Sequence, residues 1–224
     1  MSNQKPFPYC LVGVKIHRVL GDVQKGAPLY VSLAECSPYK KYFESSTQQE
    51  FNDALFNKIH KENNASWSVG GYLEDRRTIL RDYEQMITMN RCYHLGLDIN
   101  APVGTAVYAP LDAEVIVSEY EAGDGNYGGL VLLKCTENGT TFYLLFGHLE
   151  RASLPKVGAK LKAGQQFAKL GDFHENGNWY HHLHLQVITE KGYNEGWLDR
   201  GYCTLEDIPT LSDYAPNPTI FLFC

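Results

Sequence analysis

From about residue 70 to 190 the chain runs in short β-branched and aromatic stretches, broken by Gly, Asn or Pro roughly every eight to twelve residues. That rhythm constrains the fold more than any other feature. The stretches are Ala106 to Ala109, Glu114 to Glu119, Leu130 to Cys135, Thr141 to Phe146, Gln166 to Leu170 and His182 to Val187. Turn signals fall between them at Gly123-Asp124-Gly125, Asn138-Gly139, Val157-Gly158, Ala163-Gly164 and Asn176-Gly177-Asn178. Asn138-Gly139 between two apolar runs predicts a two-residue hairpin, because both residues tolerate the positive φ such a turn needs. No ten-residue helical pattern separates the runs, which disfavours a parallel βαβ arrangement. The expected architecture is mainly β and antiparallel.

Three zones follow. Residues 1–70 form a small α+β extension, with strands expected at Cys10 to Ile16 and Leu29 to Leu33. A helix is expected from Thr47 to Lys61, because Phe51, Leu55 and Ile59 recur at the spacing of one helical face. Ser46 with Gln49 makes a capping box, and Asn63-Asn64 ends the helix. Residues 71–190 form the β domain. Residues 191–224 are turn-rich and end in Ile220-Phe221-Leu222-Phe223, expected to pack back on the core as a strand or tail.

Charge narrows the function classes. Twenty Lys and Arg against 26 Asp and Glu leave a net charge of -6, with no basic face for phosphates. Nucleic acid and anionic membranes are therefore excluded as main partners. No stretch approaches the roughly 18 apolar residues of a membrane span. The opening MSNQKPFPYC has no apolar run of the kind an export signal needs, so a cytoplasmic protein is expected. In that compartment Asn64-Ala65-Ser66 and Asn138-Gly139-Thr140 carry no weight as glycosylation sites. The six cysteines, at 10, 36, 92, 135, 203 and 224, form no C-x-x-C pair and read as reduced thiols.

Histidine is distributed differently: six of the eight lie between 94 and 184. In His181-His182-Leu183-His184-Leu185, strand alternation puts His182 and His184 on one face about 7 Å apart, within reach of one small cation. Leu183, Leu185 and Val187 suit an opposite, core-packed face. In His94-Leu95-Gly96-Leu97-Asp98, His94 and Asp98 likewise share a face, but four residues of straight strand span about 13 Å. A bend at or near Gly96 is required, where the missing Cβ permits it and clears room. One carboxylate and two imidazoles suit a dication such as zinc, with the fourth position left to water. Cys92, which shares the strand parity of His94, is a further candidate ligand. His148, at the end of an apolar run and a Gly, can lean into the same groove. With His182 it supplies two groups titrating near pH 7, suited to moving a proton to or from water. His17, His60, His174 and His181 read as structural residues.

The order H-x-G-x-D (94–98), A-P-x-x-x-x-V (109–115), x-G-H-L (146–149), V-G-x-x-L-x-x-G-Q (157–165) and H-L-H (182–184) resembles the lysostaphin-type zinc metallopeptidases over about residues 94–187. The resemblance implies a β-sandwich-like hybrid barrel with an open groove. It implies His94, Asp98 and His184 as zinc ligands and His148 and His182 as catalytic residues. It also implies a peptide substrate, the cross-bridges or stems of bacterial cell walls. The stretch from Val69 to Arg76 onwards is similar, too, to the lysostaphin-type segment of some large intracellular proteins that carry aminotransferase and kinase-like domains. Three departures from the family pattern stand out. Phe146 replaces a usual Tyr, Tyr180 and His181 replace small residues before H-x-H and narrow the groove, and no spacing selects an Asn that would block the zinc, Asn63 and Asn90 being the candidates.

The leading expectation is thus a zinc hydrolase cleaving short Gly- or D-amino-acid-containing peptides. The alternative is a non-hydrolytic metal- or peptide-binding module in the cytoplasm. Sugar-transport phosphocarriers also carry H-x-G-x-D, but they need no H-x-H, and the His182-Leu183-His184 pair argues against that class. The sequence is silent on oligomeric state.

Overall fold

In the computed structural model, which describes residues 5–223, Asn138 and Gly139 adopt φ of 48° and 80°, and Glu137 faces Thr140 across the turn. The expected hairpin is there. The strands are β1 (Leu29–Tyr30), β2 (Ser68–Gly70), β3 (Tyr93–His94), β4 (Leu97–Asn100), β5 (Ala106–Tyr108), β6 (Ala113–Glu121), β7 (Gly128–Glu137), β8 (Thr140–Leu149), β9 (Lys160–Leu161), β10 (Gln166–Lys169), β11 (His182–Thr189) and β12 (Tyr202–Cys203). All six strand-like stretches of the sequence fall on them. One eight-stranded sheet has the order β1-β2-β4-β11-β8-β7-β6-β9, and β10-β5 and β12-β3 form two-stranded ribbons. Only β1 and β2 pair in parallel among the described residues. Among the described residues the sheet does not close into a barrel.

Strand β11 is buried on both faces, and its two faces do different work. Leu183, Leu185 and Val187 enter a core with Leu97, Ile99, Leu144, Phe146, Phe167 and Phe221. On the other face His182, His184 and Gln186 lead to Ile188, which packs with Leu130, Leu132, Leu145 and Trp197. The polar end of that face holds the site.

Residues outside the β zone depart from expectation in local structure more than in burial. Cys10 to Ile16 is not a strand: a 3-10 turn at Tyr9–Leu11 is followed by irregular chain, since Pro6, Pro8 and the positive φ of Gly13 interrupt extension. Cys10 and Leu11 are nonetheless core residues. Pairing from Leu29 stops at Tyr30, although Val31 and Leu33 are buried. The helix comprises α1 (Gln48–Ala54), a π-helical turn (Leu55–Ile59) and α2 (His60–Glu62). Its N-cap is Thr47, boxed with Glu50, one residue beyond the Ser46-Gln49 pairing. Phe51, Leu55 and Ile59 are buried as their spacing requires, and Asn64, at φ 49°, ends the helix. Further on come α3 (Glu84–Thr88) and α4 (Glu190–Asn194). The C-terminal apolar run is a 3-10 turn, Thr219–Leu222, with Phe221 against Phe7. No helix among the described residues is long and apolar enough to cross a membrane. Residues 1–4, part of the stretch read for an export signal, and Cys224 lie outside the described residues.

Candidate metal centre

Register builds the site. Asp98 on β4 pairs directly with His184 on β11, His184 pairs on its other side with Gly147 of β8, and Asp98 with Gly70 of β2. One row across the sheet therefore reads Gly70, Asp98, His184, Gly147. Directly opposed residues lie side by side on one face, so the carboxylate and the imidazole meet without any long-range bend. A Cβ on Gly147 would stand 2.7 Å from the Tyr127 ring, and one on Gly70 would stand 2.7 Å from Arg76 Nη2. The two glycines make room for the side chains that wall the site.

His94 joins from β3. The extended chain breaks between His94 and Leu97, as the span argument required, and Gly96 lies under the ring of His184: a Cβ there would come 2.5 Å from Cε1. The room it clears is filled by a candidate ligand. His94 Nε2, His184 Nδ1 and Asp98 Oδ1 form a triangle with edges of 3.1, 3.2 and 3.2 Å. All three residues are buried.

The protons on these rings are accounted for elsewhere. His94 Nδ1 donates to the Gly71 carbonyl at 3.0 Å. Gln186 Nε2 donates to the Arg200 carbonyl, which turns Gln186 Oε1 towards His184 Nε2 at 3.1 Å and makes that nitrogen the donor. His94 Nε2 and His184 Nδ1 then face each other and a carboxylate oxygen with lone pairs only. Three such acceptors repel unless a cation lies among them. Tetrahedral ligands 2.0–2.1 Å from zinc sit about 3.3 Å apart, so the triangle fits that ion. Among the described residues this is the one group of three or more His, Cys, Asp or Glu side chains close enough to hold a metal.

The electrostatics keep the donors in ligand form. Burial opposes ionisation of Asp98, but the Arg76 guanidinium and the neighbouring imidazoles outweigh it and hold the carboxyl well below its usual range. Burial, helped by Arg76, pushes His94 down to about 4, and burial pushes His182 down to about 4. His148 is also held well below its ordinary value, by burial and by His182 and His184. His148 and His182 are thus neutral rather than poised near pH 7 as expected, because both lie within the protein rather than along an open groove. The unfolded chain takes up protons below about pH 6.5 that the folded chain refuses until about pH 4, so metal-free protein loses stability as pH falls through that window. Urea unfolding of metal-free protein should show a loss on the order of 1–3 kcal/mol per pH unit there.

His148 and His182 stand beside the triangle, their ring centroids 4.4 Å apart. His182 Nδ1 donates to the Tyr180 carbonyl at 2.7 Å, and its Nε2 lies 3.4 Å from Asp98 Oδ1. His148 Nδ1 donates to the Asn176 carbonyl at 2.7 Å. His148 has φ of 64°, an unusual conformation for a residue with a Cβ, and one that recurs at functional sites. The two rings, with Asp98 and His184, line a cavity of about 430 Å³. Leu33, Ile79, Met86 and Met89 form an apolar wall of it.

Other sequence expectations fall away from the centre. Cys92 is buried, does not belong to the ligand group, and its backbone N–H meets the Cys203 carbonyl. Asn63 binds the Ile59 carbonyl, and neither it nor Asn90 lines the cavity. His181 turns away to Asp172 at 3.0 Å, and His60 to Ser68 at 2.7 Å. Tyr180 does reach the cavity, stacked on His182 at 4.3 Å with its hydroxyl 3.1 Å from Asp98 Oδ2. Sequence reasoning missed that contact and missed Arg76, which pairs with Asp98 Oδ2 and, at 3.0 Å, with Glu74, and is 1% exposed. An Arg and a Glu two residues apart in a polar stretch give no sign of burial.

A model described as Peptidase family M23 matches residues 92–195, less than half of the chain. That segment contains His94, Asp98, His148, His182 and His184. Residues 92–195 are thus similar to the M23 peptidases. The lysostaphin-type motifs, residues 94–187, all fall within this matched segment. Over 78 residues the chain is 40% identical to the peptidoglycan DD-endopeptidase ShyC of Vibrio cholerae, a match covering 35% of this chain and 16% of that protein. This chain thus spans about a sixth of the length of this curated relative. Among solved structures, the catalytic domain of the antimicrobial peptidase lysostaphin from Staphylococcus simulans is 22% identical, with a TM-score of 0.47, covering 72% of this chain and 95% of that one. A zinc-containing peptidase from Vibrio cholerae is 28% identical, with a TM-score of 0.37, covering 44% and 28%. Arg76 and Glu74 lie outside the M23 match.

Proposed function

We propose that this protein is a zinc-dependent hydrolase, an endopeptidase that cleaves short Gly- or D-amino-acid-containing, peptidoglycan-like peptides. The observation that carries the reading is the triangle of three lone-pair atoms, one from an ionised carboxylate and two from imidazoles whose protons are engaged elsewhere. The M23 match and the DD-endopeptidase relative support the peptidase class and the wall-peptide substrate.

His94 Nε2, Asp98 Oδ1 and His184 Nδ1 would hold the ion. Bound there, zinc supplies Lewis acidity that polarises a peptide carbonyl and makes water nucleophilic near neutral pH. His148 and His182, each with Nδ1–H anchored on a backbone carbonyl, keep an unprotonated Nε2 to take a proton from the attacking water and return it to the leaving amine. Their neutral state leaves that lone pair available. The buried setting excludes bulk water and strengthens each polar contact with the scissile bond.

The test is hydrolysis of a panel of glycyl, D-alanyl and muramyl peptides by zinc-loaded protein, with metal content measured in parallel. His182→Ala is expected to lower turnover by about 10²–10⁴-fold with zinc still bound, since a positioned proton-transfer group contributes that much. Unchanged turnover would sink the assignment of His182. Full zinc occupancy with no turnover on any peptide would leave a binding module instead.

A further inference from the structure

Resting on that metal-centre reading, we infer that Arg76 is a positioning residue that fixes how Asp98 meets the ion: it occupies Oδ2 and leaves a single oxygen, Oδ1, facing the imidazoles. A carboxylate can bind a cation through one oxygen or two, and rotation about its last bond converts one mode to the other. Asp98 is denied that freedom. Arg76 Nη1 and the Tyr180 hydroxyl both donate to Oδ2, whereas Oδ1 faces His94, His182 and His184. Held to one oxygen, Asp98 completes a three-ligand set and keeps the remaining position for water.

Arg76 can do this because it is itself held. Its Nε and Nη2 each lie 3.0 Å from Glu74 Oε2, and Glu74 accepts from the Tyr30 hydroxyl at 2.6 Å and from the Leu33 N–H at 3.2 Å. Gly70 provides the space: a Cβ there would stand 2.7 Å from Nη2. The segment around Tyr30 to Leu33, remote in sequence, is thereby linked through Glu74 and Arg76 to a ligand. A guanidinium suits the task better than an ammonium, since its planar fork spans two carboxylates with fixed angles.

Cobalt(II) tests the point, because its visible absorption weakens sharply when a four-coordinate site becomes five-coordinate. The wild-type protein loaded with Co²⁺ should give an intense visible band. The double variant Arg76→Gln with Glu74→Gln keeps the local charge balance while removing the guanidinium from Oδ2 and leaving it only the Tyr180 hydroxyl, and should lose most of that intensity while still binding Co²⁺. Tyr180→Phe, which removes the second Oδ2 donor without changing charge, should lose a smaller part and covers the case in which the double variant does not fold. Arg76→Lys should fall between wild type and the double variant. Folded, Co²⁺-bound variants with the wild-type band would overturn the role of Arg76. Absence of any Co²⁺ band in wild type would instead overturn the metal centre on which it rests.

Discussion

Replacing His184 by alanine is expected to abolish metal binding and, with it, peptide hydrolysis. Its effect should be the largest of any single substitution here. His184 touches both other members of the triangle, at 3.1 Å to His94 and 3.2 Å to Asp98, and register fixes it between Asp98 and Gly147 in the middle of the sheet row. No neighbour can take over. Gln186, two residues on, shares the strand face, but its amide is committed to the Arg200 carbonyl and to the His184 ring itself. Loss of a ligand from a three-ligand zinc site removes both the affinity and the Lewis acid. Zinc content by atomic absorption, alongside turnover, checks this. A folded His184→Ala protein that keeps stoichiometric zinc would show that the ion, if any, sits elsewhere.

Gly96→Ala is expected to have the second largest effect, although it adds one methyl group and removes no ligand. The new Cβ would lie 2.5 Å from His184 Cε1, 2.8 Å from Nε2 and 2.9 Å from the Leu185 carbonyl oxygen. Ring and backbone are both in the way. The ring is pinned by Gln186 and the carbonyl belongs to β11, so the clash must be relieved by moving His184 off the triangle or by parting β4 from β11. Overpacking of this kind costs about 1–3 kcal/mol of stability. A ligand displaced by a fraction of an ångström loses metal affinity, about 10–100-fold by analogy with disrupted outer contacts to metal ligands. Chelator competition for zinc, with thermal unfolding of the metal-free protein, separates the two contributions. Wild-type zinc affinity in Gly96→Ala would show that the glycine serves the bend alone.

These two residues show how legibility differed along the chain. Alternation in His182 to Val187 placed His182 and His184 on one face, because strand side chains alternate wherever the strand lies. The span from His94 to Asp98 demanded a bend, and Gly96 was the residue that permits one. That the same glycine also admits the His184 ring was not legible. It depends on β4 and β11 being neighbours, and no local pattern states which strands pair. The helix was legible for the same reason as the strands, through Phe51, Leu55 and Ile59, whereas its cap slipped by one residue because Ser46 and Thr47 are both competent caps and tertiary packing chose between them. The strand expected at Cys10 to Ile16 failed because burial of apolar residues needs no hydrogen-bonded partner strand, and Cys10 and Leu11 reach the core from a 3-10 turn.

Ionisation was misread for a related reason. His148 and His182 were expected to titrate near pH 7 because that is the property of an imidazole in water, and burial takes that water away.

The sequence by itself determined the mainly β character, the hairpin at Asn138-Gly139 and the residues able to bind a cation, since these follow from side-chain chemistry and short-range backbone preference. Only the tertiary structure decided which lone pairs converge, where each ring's proton goes, and that Arg76 and Tyr180 take the second oxygen of Asp98. Those outcomes depend on ångström distances between strands remote in sequence, set by sheet register and by glycines that let neighbouring groups approach.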